Sequence, residues 1–318
     1  MPLLDRIKRR GSRAAQALRG DATPAPAPAP APAPDRPAAP PGARNHVLLI
    51  LDSCRFDAVA QARTPMLDRL GLVERRYSYA TWTAPSHYNL LMGLLPHPSP
   101  KHIFASEHYK DDFLRFRERL GIPDLSWSGM APRLWLPHHL RDTLGYRVCA
   151  QVSMPVLNPM TPLAAGFDRY ELAAHHNNLS ALISAMDWSD ERPTWWLINT
   201  GETHYPYATP DEPEERWPRI HGVNGVFKQV SSGVPLHRDQ APRFFDDDKL
   251  DLLRRRQIRA VEHVDRALEQ LYDTVPDGTW ITITSDHGEL FGEGGYFGHG
   301  PILHDKVLEV PFVEGLLR

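Results

Sequence analysis

From Asn45 onward the chain sets short apolar runs against longer stretches in which apolar positions recur at helical spacing. Val47 to Leu51, Thr194 to Asn199 and Trp280 to Thr284 read as strands of a sheet, the last two as central ones. Between Leu250 and Tyr272 the residues Ile258, Val261, Val264, Leu268 and Leu271 recur at a spacing that predicts a helix laying one face on that sheet. This alternation predicts an α/β fold with a central, largely parallel β-sheet flanked by helices. Open sheets of this kind gather ligands at the carboxyl ends of their strands. Asp52, the segment from Gly201 to Tyr207 and Asp286 all fall at such ends.

Residues 1–44 are a different material, and the folded catalytic domain is expected over 45–318. Thr23 to Pro41 is dominated by an Ala-Pro repeat, in which each proline fixes φ and removes a donor, so it reads as an extended linker. Within residues 1–20, Leu4, Ile7, Ala14, Ala15 and Leu18 are mixed with Arg6, Lys8, Arg9, Arg10 and Arg13. A short basic amphipathic helix touching a membrane surface or a protein partner is one reading. A solvated tail is the other, and Gly11 and the thin apolar face favour it.

Composition narrows the function classes. The 318 residues, 42% hydrophobic and 24% charged, suffice for one large domain with a buried core. A formal net charge of -3 leaves no global basic excess for phosphate neutralisation, which excludes a general nucleic-acid binder. Cys54 and Cys149 make neither a disulfide framework nor a cysteine-rich zinc pattern, so a reducing compartment is expected. No run reaches the roughly 20 apolar residues of a transmembrane segment, and the start lacks an apolar signal core. The expected address is cytoplasmic.

Three distant segments carry candidate chemistry. Thr284-Ser285-Asp286-His287-Gly288-Glu289 runs an apolar strand into an Asp-His pair and a glycine turn. Val47 to Asp52 is another apolar strand ending on a carboxylate, and Thr83-Ala84-Pro85-Ser86-His87 puts a hydroxyl at the head of a proline-containing turn. Together they offer oxygen and nitrogen ligands suited to a hard or borderline divalent cation. Each piece also has a plain structural reading. Asp286-His287-Gly288 closes a strand with a turn, Thr83 can cap the helix that Pro85 begins, Arg55 and Asp57 can form an ion pair, and His87 can pack in its turn or support a ligand. His304 is an outside candidate for the substrate pocket.

In their order, these segments resemble the alkaline phosphatase superfamily, in particular its sulfatase-like and phosphodiesterase-like branches. Asp52-Ser-Cys-Arg55-Phe-Asp57 resembles the first metal-ligand strand, and Thr83-Ala-Pro-Ser-His87 with Leu90-Leu-Met-Gly93-Leu-Leu-Pro96-His97 the nucleophile turn and its helix. Thr203-His204-Tyr205-Pro206-Tyr207 is similar to the family's His-x-Pro segment, and Ser285 to Glu289 with Gly298-His299-Gly300 to the second metal segment. Leu144-Gly145-Tyr146, Gly166 to Tyr170 and Val310-Pro311-Phe312 are smaller echoes. The resemblance spans about Asn45 to Phe312 and implies an alkaline-phosphatase-like sandwich.

It also implies a metal-dependent hydrolase or transferase of phosphoric esters, with Asp52, Thr83, Asp286 and His287 around the ion and a phospho-Thr83 intermediate. His204 and His299 are the candidate proton donors to the leaving group, or contacts to the phosphoryl oxygens. Zinc or manganese is expected first, magnesium or calcium next. A second ion stays open, because Glu202 and His204 stand one residue apart where two-metal relatives space the pair by four. Formylglycine sulfatases oxidise a Cys or Ser at the nucleophile position; oxidation of a threonine would give a ketone, so phosphoryl chemistry is preferred. A sulfatase-type sulfuric ester hydrolase, or a non-catalytic relative binding an anionic ligand or a protein partner, are the alternatives. The substrate is expected to be a small-molecule, lipid-linked or peptide-linked phosphoester. The Pro- and charge-rich stretch between Tyr205 and Phe245, with Trp217, His221, Phe227 and Lys228, reads as a lid or as a variable surface loop.

Overall fold

The computed structural model describes residues 36–99, 134–218 and 246–317. The amphipathic reading of residues 1–20, most of the Ala-Pro repeat, and His221, Phe227 and Lys228 of the expected lid lie outside them. Of the segment read as a linker, Arg36 is described, and it pairs with Asp168 through two hydrogen bonds of 2.9 and 2.5 Å.

A seven-stranded sheet is the centre of the fold, in the order β2-β9-β6-β1-β5-β3-β4. Its strands are β1 (His46–Leu51), β2 (Glu74–Tyr77), β3 (Arg147–Val152), β4 (Arg169–Leu172), β5 (Thr194–Thr200), β6 (Trp280–Thr284) and β9 (Glu309–Leu316). A separate two-stranded ribbon joins β7 (Leu290–Phe291) to β8 (Phe297–Gly298). Strands β6, β1, β5, β3 and β4 run parallel, while β9 lies antiparallel between β6 and β2. The three strands expected from the sequence are all present, within one residue of the expected limits. The expected helix is the long α5 (Asp247–Thr274), which starts earlier because Asp246 caps it by accepting from the Asp248 N–H at 3.0 Å.

The inner strands β1, β5 and β6 are largely apolar because both faces are covered. Val47, Leu49 and Leu51 of β1, with Trp196, Ile198, Ile281 and Ile283, pack toward α5, α4 (Leu179–Ser184) and α2 (Pro65–Leu70). The alternate residues Leu48, Ile50, Trp195 and Leu197 join Val148, Ala150, Val152 and Leu90 and Leu91 of α3 (Thr83–Leu91) in a second core on the opposite face. Two shorter helices, α1 (Phe56–Val59) and α6 (Asp305–Leu308), lie beside the loops that leave β1 and enter β9. This is the flanked, largely parallel sheet that the alternating pattern predicts. Among the described residues no helix is long and apolar enough to cross a membrane.

Register decides where chemistry can gather. Ile50 faces Asn199 on one side and Thr284 on the other, and Leu51 faces Thr200, so β1, β5 and β6 end at one level. Asp52, Gly201 and Ser285 are the residues that follow.

At the opposite end of β1, His46 sits with its Nε2 3.0 Å from Thr282 Oγ1, and burial pushes its pKa from 6.5 down to about 4. Between those two pH values the unfolded chain binds the proton and the folded one does not. Stability is therefore complete above pH 6.5 and falls as pH drops toward 4. The ceiling is about 3 kcal/mol. Urea unfolding followed from neutral pH to pH 4 is expected to show wild type losing more stability than His46→Gln, with the gap opening only in this window. Parallel curves would remove His46 as the cause.

Candidate active site

The candidate site is built on the level strand ends. Asp52 leaves β1 fully buried, its Oδ2 accepting from Asn199 Nδ2 at 3.0 Å and its Oδ1 from Ser53 Oγ at 3.2 Å. Asp286 leaves β6 equally buried, and its Oδ1 accepts from the backbone N–H groups of Ser53 at 3.1 Å and His287 at 3.0 Å. The loop after β1 thus ties the two carboxylates together. Ser53 holds it with φ at +59°, a left-handed conformation that non-glycine residues seldom adopt.

Thr83 arrives from the other face of the sheet as the first residue of α3. The helix cap position belongs to Trp82 and has no side-chain capping bond, so the Thr83 hydroxyl is not spent on capping. Instead Thr83 Oγ1 lies 3.5 Å from Asp52 Oδ1 and 3.3 Å from His287 Nε2. The His287 ring donates its Nδ1–H to the Gly288 carbonyl at 2.9 Å, which leaves Nε2 as a lone pair 3.3 Å from Asp286 Oδ2. Gly288 is required there, since a Cβ would collide with the Lys306 carbonyl. The four residues singled out as ligands from the sequence therefore converge, and atoms of Asp52, Asp286 and His287 lie within 4.8 Å of one another.

This cluster is rich in acceptors and short of donors. Asp286 Oδ2 is buried with no hydrogen-bond partner. Burial and then the facing Asp52 charge push the Asp286 carboxyl well above the usual carboxylate range. Burial also raises Asp52, but His204, His287 and the Asn199 hydrogen bond outweigh it and hold that carboxyl low. His287 is driven well below the ordinary imidazole value by burial and by His299. Two carboxylates, a neutral imidazole lone pair and one hydroxyl around a common point form a donor set that a divalent cation satisfies.

The two candidate proton donors stand beside this group. His204 donates Nδ1–H to the Tyr205 carbonyl at 2.8 Å, and its ring lies 5.3 Å from that of His299. The His299 ring lies tilted against that of His287, with centroids 4.3 Å apart, and its Nδ1 is 2.9 Å from Glu289 Oε1. Burial lowers the His299 pKa, but the Glu289 hydrogen bond and charge reverse this and raise it.

Other expectations resolve differently. His304 accepts from the Lys306 N–H at 3.0 Å as the cap of α6, which is a structural role rather than a place in the substrate pocket. Glu202 turns into the protein, where one oxygen accepts from the Leu179 N–H at 2.6 Å and the other from the Thr200 hydroxyl. It completes the start of α4 and stands outside the cluster. Arg55 is buried in a clamp with Asp57 (2.5 Å) and Glu293 (2.6 Å) that fastens the turn between β7 and β8. His87 packs inside α3 and donates Nδ1–H to the Thr83 carbonyl at 2.9 Å, with the same nitrogen 3.9 Å from Asp286 Oδ2. Trp217 lies against His176, at 5.6 Å between rings.

Several supporting residues escaped the sequence reading. Ser53, Asn199 and Glu289 lie inside or beside the quoted segments, but serine, asparagine and a second acid after a metal motif are common in any turn. Gln257 gives no local signal. From the buried face of α5 its Nε2 donates to the carbonyls of Ser53 at 2.9 Å and Thr203 at 3.0 Å, and so holds the loops after β1 and β5 together. Gln257→Leu is expected to cost about 3 kcal/mol, because two buried carbonyls lose a donor. Chemical denaturation that finds less than about 0.5 kcal/mol would mean the loops are held elsewhere.

The chain matches no family model and no curated protein. Solved structures do resemble it. The C-terminal periplasmic domain of EptC from Escherichia coli, in complex with Zn, is 14% identical over 87% of this chain and 73% of its own, with a TM-score of 0.52. The soluble domain of lipooligosaccharide phosphoethanolamine transferase A from Neisseria meningitidis is 15% identical over 88% of this chain and 79% of its own, with a TM-score of 0.52. BT1596, a 2-O GAG sulfatase, is 13% identical with a TM-score of 0.54; the match takes in 87% of this chain and 65% of the sulfatase. What these structures have in common with the chain is the backbone framework. In that framework, a mostly parallel seven-stranded sheet between two layers of helices, the chain has the fold of the alkaline phosphatase superfamily.

Proposed function

We propose that this protein is a divalent-metal-dependent hydrolase or transferase of phosphoric esters that uses Thr83 as its nucleophile. The observation that carries this reading is the approach of Thr83 Oγ1 to Asp52 Oδ1 (3.5 Å) and His287 Nε2 (3.3 Å), beside the unpartnered Asp286 Oδ2. Asp52, Asp286, His287 and the Thr83 hydroxyl would hold the ion, zinc or manganese by the softness of a mixed imidazole and carboxylate set. When bound, the ion supplies the positive charge that lowers the hydroxyl pKa and neutralises the phosphoryl oxygens. The protein supplies the rest. The start of α3 aims Thr83 at phosphorus; its Oγ forms the new P–O bond as the hydroxyl proton is lost to solvent. The leaving oxygen departs with the electron pair of the broken P–O bond and takes a proton from His299 or His204. Water or an acceptor alcohol then attacks phosphorus, the P–Oγ bond breaks, and Thr83 recovers its proton. A lipid-linked or other small phosphoester is the substrate class in this proposal, and the phosphoethanolamine transferase neighbour supports it.

The sulfatase-type alternative rests on a likeness of fold to sulfatases such as BT1596 and has no residue here in its favour. The cytoplasmic address stays within the proposal, supported by two buried free thiols, whereas the EptC neighbour is a periplasmic domain.

Two experiments test the reading. Aryl phosphate monoesters, phosphodiesters and sulfates assayed with Mn²⁺, Zn²⁺, Mg²⁺ and Ca²⁺ are expected to give phosphoester turnover that Thr83→Ala lowers by about 10⁴-fold or more. Brief exposure to substrate should also leave a phosphorylated Thr83 peptide in the mass spectrum. Turnover undiminished in the variant would end the nucleophile assignment, and absence of turnover with a normal fold would favour the anion-binding alternative. Independently, Asp286→Ala is expected to strip most of the metal measured by mass spectrometry and to abolish the rise in Tm that added Zn²⁺ gives wild type. Unchanged metal content would mean that the ligand set is wrong.

A further inference from the structure

Tyr207 has a feature that packing does not explain. It is almost fully buried (2% exposed) in an apolar cluster with Leu250, Leu253 and Phe297, and against Phe291 at 5.5 Å between rings. A phenylalanine would fill that volume equally well. Yet its hydroxyl donates at 2.5 Å to Oε2 of Glu289, a carboxylate that is itself 1% exposed. The other oxygen of the same carboxylate, Oε1, meets His299 Nδ1 at 2.9 Å.

The backbone of Tyr207 is strained in the same sense. Its φ is +58°, and among the described residues only Ser53 shares a positive φ without being glycine. A bulky side chain stays in the left-handed region only where its surroundings over-determine it, and such positions concentrate at functional sites. Ser53 is the residue that joins the two site carboxylates. Tyr207 lies in the loop after β5, seven residues past Thr200, with its N–H held by the His204 carbonyl at 2.7 Å.

We propose that Tyr207 is a positioning residue: its hydroxyl locks the Glu289 carboxylate, which in turn fixes His299 for proton delivery to the leaving group. Buried Glu289 needs donors on both oxygens, and Tyr207 and His299 supply one each. With Nδ1–H committed to Glu289, Nε2 is the nitrogen of His299 left to deliver a proton. As the P–O bond breaks, the leaving oxygen keeps the bonding pair and takes the Nε2 proton, while Nδ1–H remains on Glu289. Removing the hydroxyl frees Oε2, lets the carboxylate rotate, and releases the ring from its orientation.

This inference rests on the phosphoester reading of the site, and it predicts an effect that depends on the leaving group. A good leaving group departs without protonation; a poor one does not. In Tyr207→Phe, kcat for a phenyl ester is expected to fall about 10-fold or more, kcat for the 4-nitrophenyl ester less than about 2-fold, and KM to stay within about 2-fold for both. Equal loss on both esters, or none, would overturn the proposal while leaving Thr83→Ala to judge the nucleophile separately. A readout without turnover decides the case if the phosphoester reading itself fails. In ¹⁵N-histidine spectra, wild type should show a low-field, slowly exchanging Nδ1 proton that His299→Gln removes and Tyr207→Phe also loses. The same resonance persisting in Tyr207→Phe, with Tm unchanged, would show that the hydroxyl does not hold the ring.

Discussion

The structure depends on keeping two carboxyl groups, which repel each other when both are ionised, together where water cannot separate them. Asp52 and Asp286 are both fully buried, and the neutral lone pair of His287 points into the same space. Such an arrangement costs several kcal/mol unless each charge is met by donors or by a cation. Backbone amides answer part of the demand. The N–H groups of Ser53 and His287 bind one oxygen of Asp286, and Asn199 binds one of Asp52. What remains is concentrated on Asp286 Oδ2, which has no partner, beside His287 Nε2 and near the Thr83 hydroxyl that reaches toward Asp52 Oδ1.

Holding that arrangement falls to the scaffold. Three parallel strands locked in register by hydrogen bonds cannot let one carboxylate drift from the other without breaking a ladder. Further ties join the loops that leave them: Gln257 reaches the carbonyls of Ser53 and Thr203, Thr203 Oγ1 donates to the Asp52 carbonyl at 2.7 Å, and Ser78 Oγ donates to the Asp286 carbonyl at 2.5 Å. Among the described residues, the positive φ values outside glycine fall on Ser53 and Tyr207, in the loops around the candidate site.

Much of this was legible before any coordinates. Apolar strands such as Val47–Leu51 are readable because burial on both faces leaves no polar position to break the pattern. The long helix announces itself by Val261, Val264, Leu268 and Leu271. Chemistry-bearing residues at strand ends and at the head of a proline-containing turn are readable as well, so Asp52, Asp286, His287 and Thr83 could be picked out and are brought together. Strand β9 is another matter. Pro311 and Gly315 disfavour a strand, yet the chain is held by β6 on one side and β2 on the other. Strand β2, Glu-Arg-Arg-Tyr, has no apolar run because it is the sheet edge. The supporting shell was hidden for a deeper reason. Gln257 acts through distant partners with no local signal, and Tyr207, though it closes a quoted motif, reaches Glu289, 82 residues away, a contact no local pattern announces.

The position of β9 has a consequence for the order of assembly. Strand β6, which presents Asp286, is flanked by β1 and β9, and the Lys306–Leu308 stretch before β9 packs against Gly288 through the Val307 carbonyl. A nascent polypeptide emerging from the ribosome displays β1, β5 and β6 while β9 is still being synthesised. During that interval β6 has one raw edge and the Asp-His turn has no backing. The candidate metal site is therefore completed only once β9 has joined the sheet.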